Sequence, residues 1–219
     1  MKKIIFINIG ILLFIINSIY AQRNDTIVYY FPKEYFLDTI NHFEQEKNEE
    51  FFERRKSTAF LFVNTPYSLH LKELNEPVLF KEYTNETYRF TWIGYFSFLN
   101  PVSIRVEINN DNIFLISKYI GRNKKNKKLF VNDTIFLDDQ EMIIFKNKLD
   151  SINFWDIPTI EQTNIAVMDG STWILEGKKA EKYHAVARHV DWEKDIGGFC
   201  LYLVKLSKIK FNRRHQLSN

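Results

Sequence analysis

Between residues 88 and 137 the chain carries four runs rich in β-branched and aromatic side chains: YRFTWIGYFSF, PVSIRVEI, NIFLISKYI and KLFVNDTIFL. No other feature restricts the fold as strongly. Such runs, bounded by polar breaks, read as strands. In SIRVEI, Ile104, Val106 and Ile108 alternate with Ser103, Arg105 and Glu107, the pattern of a strand with one face on a core and one toward water. NNDN at 109–112 is a turn by its Asn/Asp content, and GRNKKNKK at 121–128 is a longer one. Together the runs predict an antiparallel meander.

Helical signals flank it. Asp138 is an N-cap with Glu141 three residues on, so a capping box should open a helix near 139–151, with Met142, Phe145, Leu149 and Ile152 on its apolar face. NFWDIP closes it. STWILEG and KYHAVARHV predict two further strands. IGGFCLYLVKLSKIKF predicts a C-terminal helix near 198–210, with Phe199, Leu203 and Leu206 as its apolar stripe. Upstream, a first strand is expected at 26–31, ended by Pro32. An amphipathic N-terminal helix is expected over 33–56, and Pro66 and Pro77 bracket an irregular stretch. Strands and helices are segregated, which predicts an α+β fold. The expectation is one globular domain over 22–219, with 88–211 as its core and 22–87 as its less legible part.

Residues 1–21 differ from the rest. Lys2 and Lys3 precede an apolar run from Ile4 to Tyr20, broken by Asn8, Gly10 and Asn17, and Ala21 is a small residue where cleavage would fall. This is the pattern of a secretory signal peptide, too short and interrupted for a span. The expectation is export, to the periplasm or beyond, with membrane contact only through residues 1–21 before cleavage. Removing them takes away two lysines and no acid, lowering the net charge from +3 to +1. A near-neutral chain gives no reason to expect a nucleic-acid partner. Cys200 is the only cysteine, so no internal disulfide can form, and its apolar setting predicts a small buried hydrophobe.

ETYRFTW (86–92), PVSIRVEI (101–108), FWDIP (154–158), DGSTWILEG (169–177) and YHAVAR (183–188), in that order, resemble a family of exported bacterial proteins with no assigned activity. The resemblance covers roughly residues 75 to 207. It implies a class of protein and no mechanism. Where the family has a glycine-rich turn after the third meander strand, this chain has GRNKKNKK.

The groups that could carry chemistry gather in the predicted hairpin. Asp169, Glu176, His184 and Arg188 are the candidate catalytic residues, with a carboxylate and His184 as acid and base. Period two puts Lys182, His184, Val186 and Arg188 on one face and Tyr183, Ala185, Ala187 and His189 on the other. His184 and His189 therefore cannot share a metal from one strand. Two registers are open. A loop at 177–180 sets Trp173 opposite His184 and Asp169 opposite Arg188. A loop at 177–181 brings Glu176 onto the face of His184 and Arg188. Trp173 is expected to fill the core and Glu176 to stay wet beside a turn glycine, so ion pairs here are expected to be structural. No Walker loop, HExxH, CxxC or GxSxG occurs, and no metal or cofactor is expected.

A second candidate surface is KYIGRNKKNKK. Lys118, Arg122, Lys124, Lys125, Lys127 and Lys128 crowd one hairpin end and could hold phosphorylated glycans, lipid headgroups or an acidic partner, although charge runs in loops usually only solvate a chain. Two classes of function follow. The favoured one is a non-catalytic binding or envelope-interaction protein with an unknown partner. The other is an envelope or extracellular hydrolase.

Overall fold

The computed structural model describes residues 28–33, 35, 64–81, 83–94, 101–109, 112–122, 128–160, 171–189 and 195–209. Six strands form one antiparallel sheet: β1 Glu86–Gly94, β2 Val102–Asn109, β3 Asn112–Arg122, β4 Lys128–Leu137, β5 Ser171–Lys179 and β6 Lys182–His189. Their order is β4-β3-β2-β1-β5-β6. The first four strands are the expected meander. The chain then crosses one face and adds the β5–β6 hairpin beside β1, where Phe90 meets Leu175 and Trp92 meets Trp173. The fold is α+β.

On the first face the even positions of β1 and β2 and the odd positions of β3 come together, and the apolar partners align. Tyr88, Phe90 and Trp92 of β1 lie with Val102, Ile104 and Val106 of β2 and Leu115 of β3. Helix α2, Asp139–Ser151, covers them with Phe145 and Leu149. It starts as its sequence requires. The Asp138 side chain accepts from Glu141 N–H at 2.8 Å, and the Glu141 carboxylate accepts from Asp138 N–H at 3.1 Å. Helix α3, Gly197–Leu206, adds Phe199, Cys200 and Leu203 to the same core, so the C-terminal helix ends earlier than the expected 210. Cys200 is buried and free, and burial pushes its thiol well up.

The second face is the surprise. β2 is not half-wet: Ser103 and Arg105 are as buried as the apolar residues between them. A second layer covers this face, made of a helix described over 64–73, α1, the segments 28–33 and 76–80, and Tyr35. The stretch between Pro66 and Pro77 is thus helical through residue 73 rather than irregular, because Leu71 and Leu74 both bury fully. The expected strand at 26–31 is absent from its described part, 28–31. Tyr30 N–H donates to Ser68 Oγ at 3.0 Å and Phe31 C=O accepts from Asn64 Nδ2 at 3.1 Å, so side chains of α1 satisfy the backbone that a neighbouring strand would otherwise satisfy. The N-terminal helix expected over 33–56 falls outside the described residues, apart from Lys33 and Tyr35 in a turn. No helix among the described residues is long and apolar enough to cross a membrane.

Candidate functional site

The buried polar groups of the second face form one connected cluster, and its centre is Glu76. α1 ends in a cap with Asn75 in the left-handed region at φ 49°. Glu76 N–H donates to Leu71 O and Asn75 N–H to Lys72 O, both at 3.0 Å, the two bonds of a Schellman motif. That cap delivers Glu76 onto the sheet. Its carboxylate meets Arg105 Nε at 2.9 Å, Lys118 Nζ at 3.2 Å and Arg89 Nη1 at 3.4 Å. Arg89 and Arg105 are directly opposite each other on β1 and β2, a like-charge pair that a shared carboxylate makes tolerable. Burial pushes the Glu76 carboxyl up, and Arg89, Arg105 and Lys118 together pull it further down, so it titrates below its ordinary range.

Arg89 carries the cluster to Glu176. Its Nε and Nη2 donate to the two Glu176 oxygens, each at 2.7 Å, and its Nη1 donates to Pro77 O at 2.7 Å. Tyr183 Oη donates to the same Glu176 carboxylate at 2.9 Å. Burial lifts the Glu176 carboxyl above its ordinary value, against the pull of Arg89 and Tyr183. At the other end Arg105 and Tyr83 both contact Glu107. The Tyr30 ring lies 5.8 Å from the Arg89 guanidinium and its hydroxyl donates to Glu76 O at 2.9 Å, closing the cluster from above. Arg89, Arg105 and Lys118 match Glu76, Glu107 and Glu176 within the cluster, and Lys178 is a further buried cation two residues along β5 from Glu176. A site wired this way orients two layers on each other. Glu176 has its partners inside and offers no free carboxylate for proton transfer.

His184 and Arg188 lie on the opposite face. β5 and β6 pair with Trp173 opposite Arg188, Gly177 opposite His184 and Glu176 opposite Ala185. Neither expected register occurs. The loop is Ala180–Glu181, starting three residues beyond Gly177, with Ala180 at φ 49°. Gly177 stays inside β5 because the ring of Phe154 packs on it: a Cβ there would sit 2.4 Å from Phe154 Cε1. Glu176 and His184 therefore cannot act as an acid–base pair, since the sheet separates them.

His184 is held by rings and by one bond. Phe154 and Trp155 lie 5.2 and 6.4 Å from its ring, and Nε2–H donates to Ile157 O at 2.8 Å. The carbonyl can only accept, so the neutral ring carries its proton on Nε2. Burial lowers its pKa, partly offset by the Ile157 bond. Arg188 donates to Pro158 O at 3.0 Å and Thr159 O at 3.4 Å, and pairs with Asp195 at 3.0 Å. Both side chains grip the segment 157–160.

Asp169 lies outside the described residues, as do Lys124, Lys125, Lys127 and the side chain of Arg122. Lys118 is not part of an exposed anion site. It is buried, with Nζ donating to Asn75 O at 2.6 Å as well as meeting Glu76. Its place in β3 explains this: Lys118 pairs with Ser103 on the covered face. Lys128 is exposed and reaches Glu73 at 3.3 Å. Among the described residues no group of three or more His, Cys, Asp and Glu is placed to hold a metal ion.

Sequence reasoning missed Glu76, Arg89, Arg105 and Tyr83. A signal for them was present. Arg89 and Arg105 interrupt two strands at their middles, and charges there need partners if the strands are central. No family model matches the chain, and no curated protein matches it.

Proposed function

We propose that this is an exported, non-catalytic binding or envelope-interaction protein, its leader removed after Ala21. The observation that carries the reading is the Glu176 carboxylate, which spends its oxygens on Arg89 and Tyr183 inside the fold. The only other described groups of the candidate hairpin, His184 and Arg188, serve a backbone segment on the other face. The resemblance of residues 75–207 to exported bacterial proteins and the leader pattern support the location. The near-neutral charge after cleavage points to protein, glycan or lipid partners rather than nucleic acid.

The test is retention without turnover. The exported protein is incubated with envelope material from a producing bacterium, and bound protein and released soluble fragments are both measured. Binding with no fragment release is expected. Release of fragments by the wild-type protein, abolished in a folded His184→Gln variant, would establish the hydrolase instead.

A further inference from the structure

The sheet has two edges, and the fold treats them differently. The β6 edge is guarded. Ile160 makes a parallel bridge to Ala187, and Ala187 N–H donates to Thr159 O at 2.7 Å. His184 and Arg188 fasten that guard through the carbonyls of residues 157–159. At the other end of the order, β4 has β3 as its only strand neighbour among the described residues. From Lys128 to Phe136 no side chain of β4 is fully buried on either face. Leu129, Phe130 and Phe136 are 49%, 44% and 58% exposed. They are three of the seven large apolar residues exposed in the described chain, and two more, Ile143 and Ile144, lie on α2 directly after β4.

Proteins commonly blunt such an edge with proline, bulges or a row of charges. β4 has no proline and no glycine, and its charges are Lys128 and Asp133 alone. A ten-residue edge is about 34 Å of open backbone.

We propose that β4 pairs antiparallel with β4 of a second copy of this chain, about a twofold axis at Asn132. The strand's own sequence selects the partner and the register. A twofold axis normal to the sheet leaves each residue on the same face in both copies, so one residue must oppose itself. With Asp133 at the axis, two carboxylates would face each other. With Val131 there, Leu129 would meet Asp133. With Thr134 there, Phe136 would meet Asn132. With Asn132 at the axis, Leu129 meets Ile135, Phe130 meets Thr134, and two neutral amides face each other and can hydrogen-bond. Two contacts match poorly, Val131 against Asp133 and Lys128 against Phe136. Lys128 then lies opposite Phe136 with the other copy's Asp138 on its diagonal, an opposite-charge contact made twice. The sheet becomes continuous across both copies.

The experiment is sedimentation velocity of the exported protein at rising concentration, with Asn132→Asp and Asn132→Lys. Asn132 is exposed, so neither change disturbs the fold of one copy. A wild-type dimer is expected. Each variant alone should weaken it by about tenfold or more, because like charges meet at the axis. An equimolar mixture of the two variants should restore dimers, since unlike charges then meet. A wild-type protein that stays monomeric, a dimer indifferent to both substitutions, or a mixture that fails to recover would each overturn the proposal.

Discussion

Arg89 and Glu176 stand directly opposite each other on β1 and β5, and Arg89 donates two 2.7 Å hydrogen bonds to the Glu176 carboxylate, with neither side chain reaching solvent. Removing one member of such a pair leaves an uncompensated buried charge. Glu176→Gln should therefore cost about 3–5 kcal/mol, a large part of a typical 5–15 kcal/mol total, roughly. Urea unfolding measures it. Replacing both residues together, Arg89→Met with Glu176→Leu, should cost less than the sum of the single changes, because no orphan charge remains. A loss under about 1 kcal/mol for Glu176→Gln would match a solvated bridge and contradict the burial.

Gly177 is a second position fixed by close packing. The ring of Phe154 occupies the space that a side chain would take. Gly177→Ala should destabilise by about 1–3 kcal/mol through overpacking. The same substitution in a Phe154→Leu background should cost less, since the smaller side chain vacates that space. Additive costs in thermal melts of the four proteins would show that the two positions do not meet.

The meander, α2 and α3 were legible because their signals are local. Alternation in SIRVEI, a capping box at Asp138 and the Phe199–Leu203 spacing each depend on neighbours within a few residues. The second layer was not legible. Ser103, Arg105 and Glu107 alternate as a wet face would, and whether α1 covers them depends on contacts about thirty residues away in sequence, such as Glu76 to Arg105. The hairpin register failed for a similar reason. Gly177 reads as a turn until Phe154 explains it as a strand residue under a ring. The role of Trp173 was clear, since an indole between apolar neighbours belongs to a core whichever register holds, and it is buried against Phe90 and Trp92.

Acid should destabilise the fold in two windows. Burial lowers the pKa of His184 from 6.5, and burial lowers that of His70 against the pull of Glu73. The unfolded chain then takes up these protons first. The histidine contribution is intact above 6.5 and is lost as pH falls from there through the lower folded values. Glu76 acts further down. Its stabilisation is intact above the ordinary 4.5 and is lost as pH falls through its depressed folded pKa, whereas Glu176, lifted by burial, opposes it with a contribution present below 4.5 and lost as pH rises through its raised folded value. NMR titration of the His184 ring should give a midpoint below 6.5, and His184→Gln should flatten the upper window of a stability–pH profile. A midpoint above 6.5 would mean that the ring is charged and partnered in the fold, contrary to its place among Phe154 and Trp155.

Arg188 should matter for the β6 edge rather than for chemistry. Its guanidinium holds Pro158 and Thr159 by their carbonyls, and Thr159 in turn accepts from Ala187 N–H on the edge strand. Arg188→Ala removes the planar fork and should cost about 1–3 kcal/mol in hydrogen bonds left unmade. The more telling readout is local. Amide exchange at Ala187 should accelerate more than at Ile174 in the interior of β5, because the guard segment loosens before the sheet does. Light scattering should then rise with concentration, as an uncovered edge invites a second strand. Arg188→Lys should recover little of this, since an ammonium cannot reach two carbonyls and Asp195 with the geometry of the fork. If Ala187 stays protected and the variant stays dispersed, the bridge from Ile160 guards the edge without Arg188. Loss of protection at Ala187 in a variant whose core amides remain slow would locate the defect at the guard and assign Arg188 its structural role.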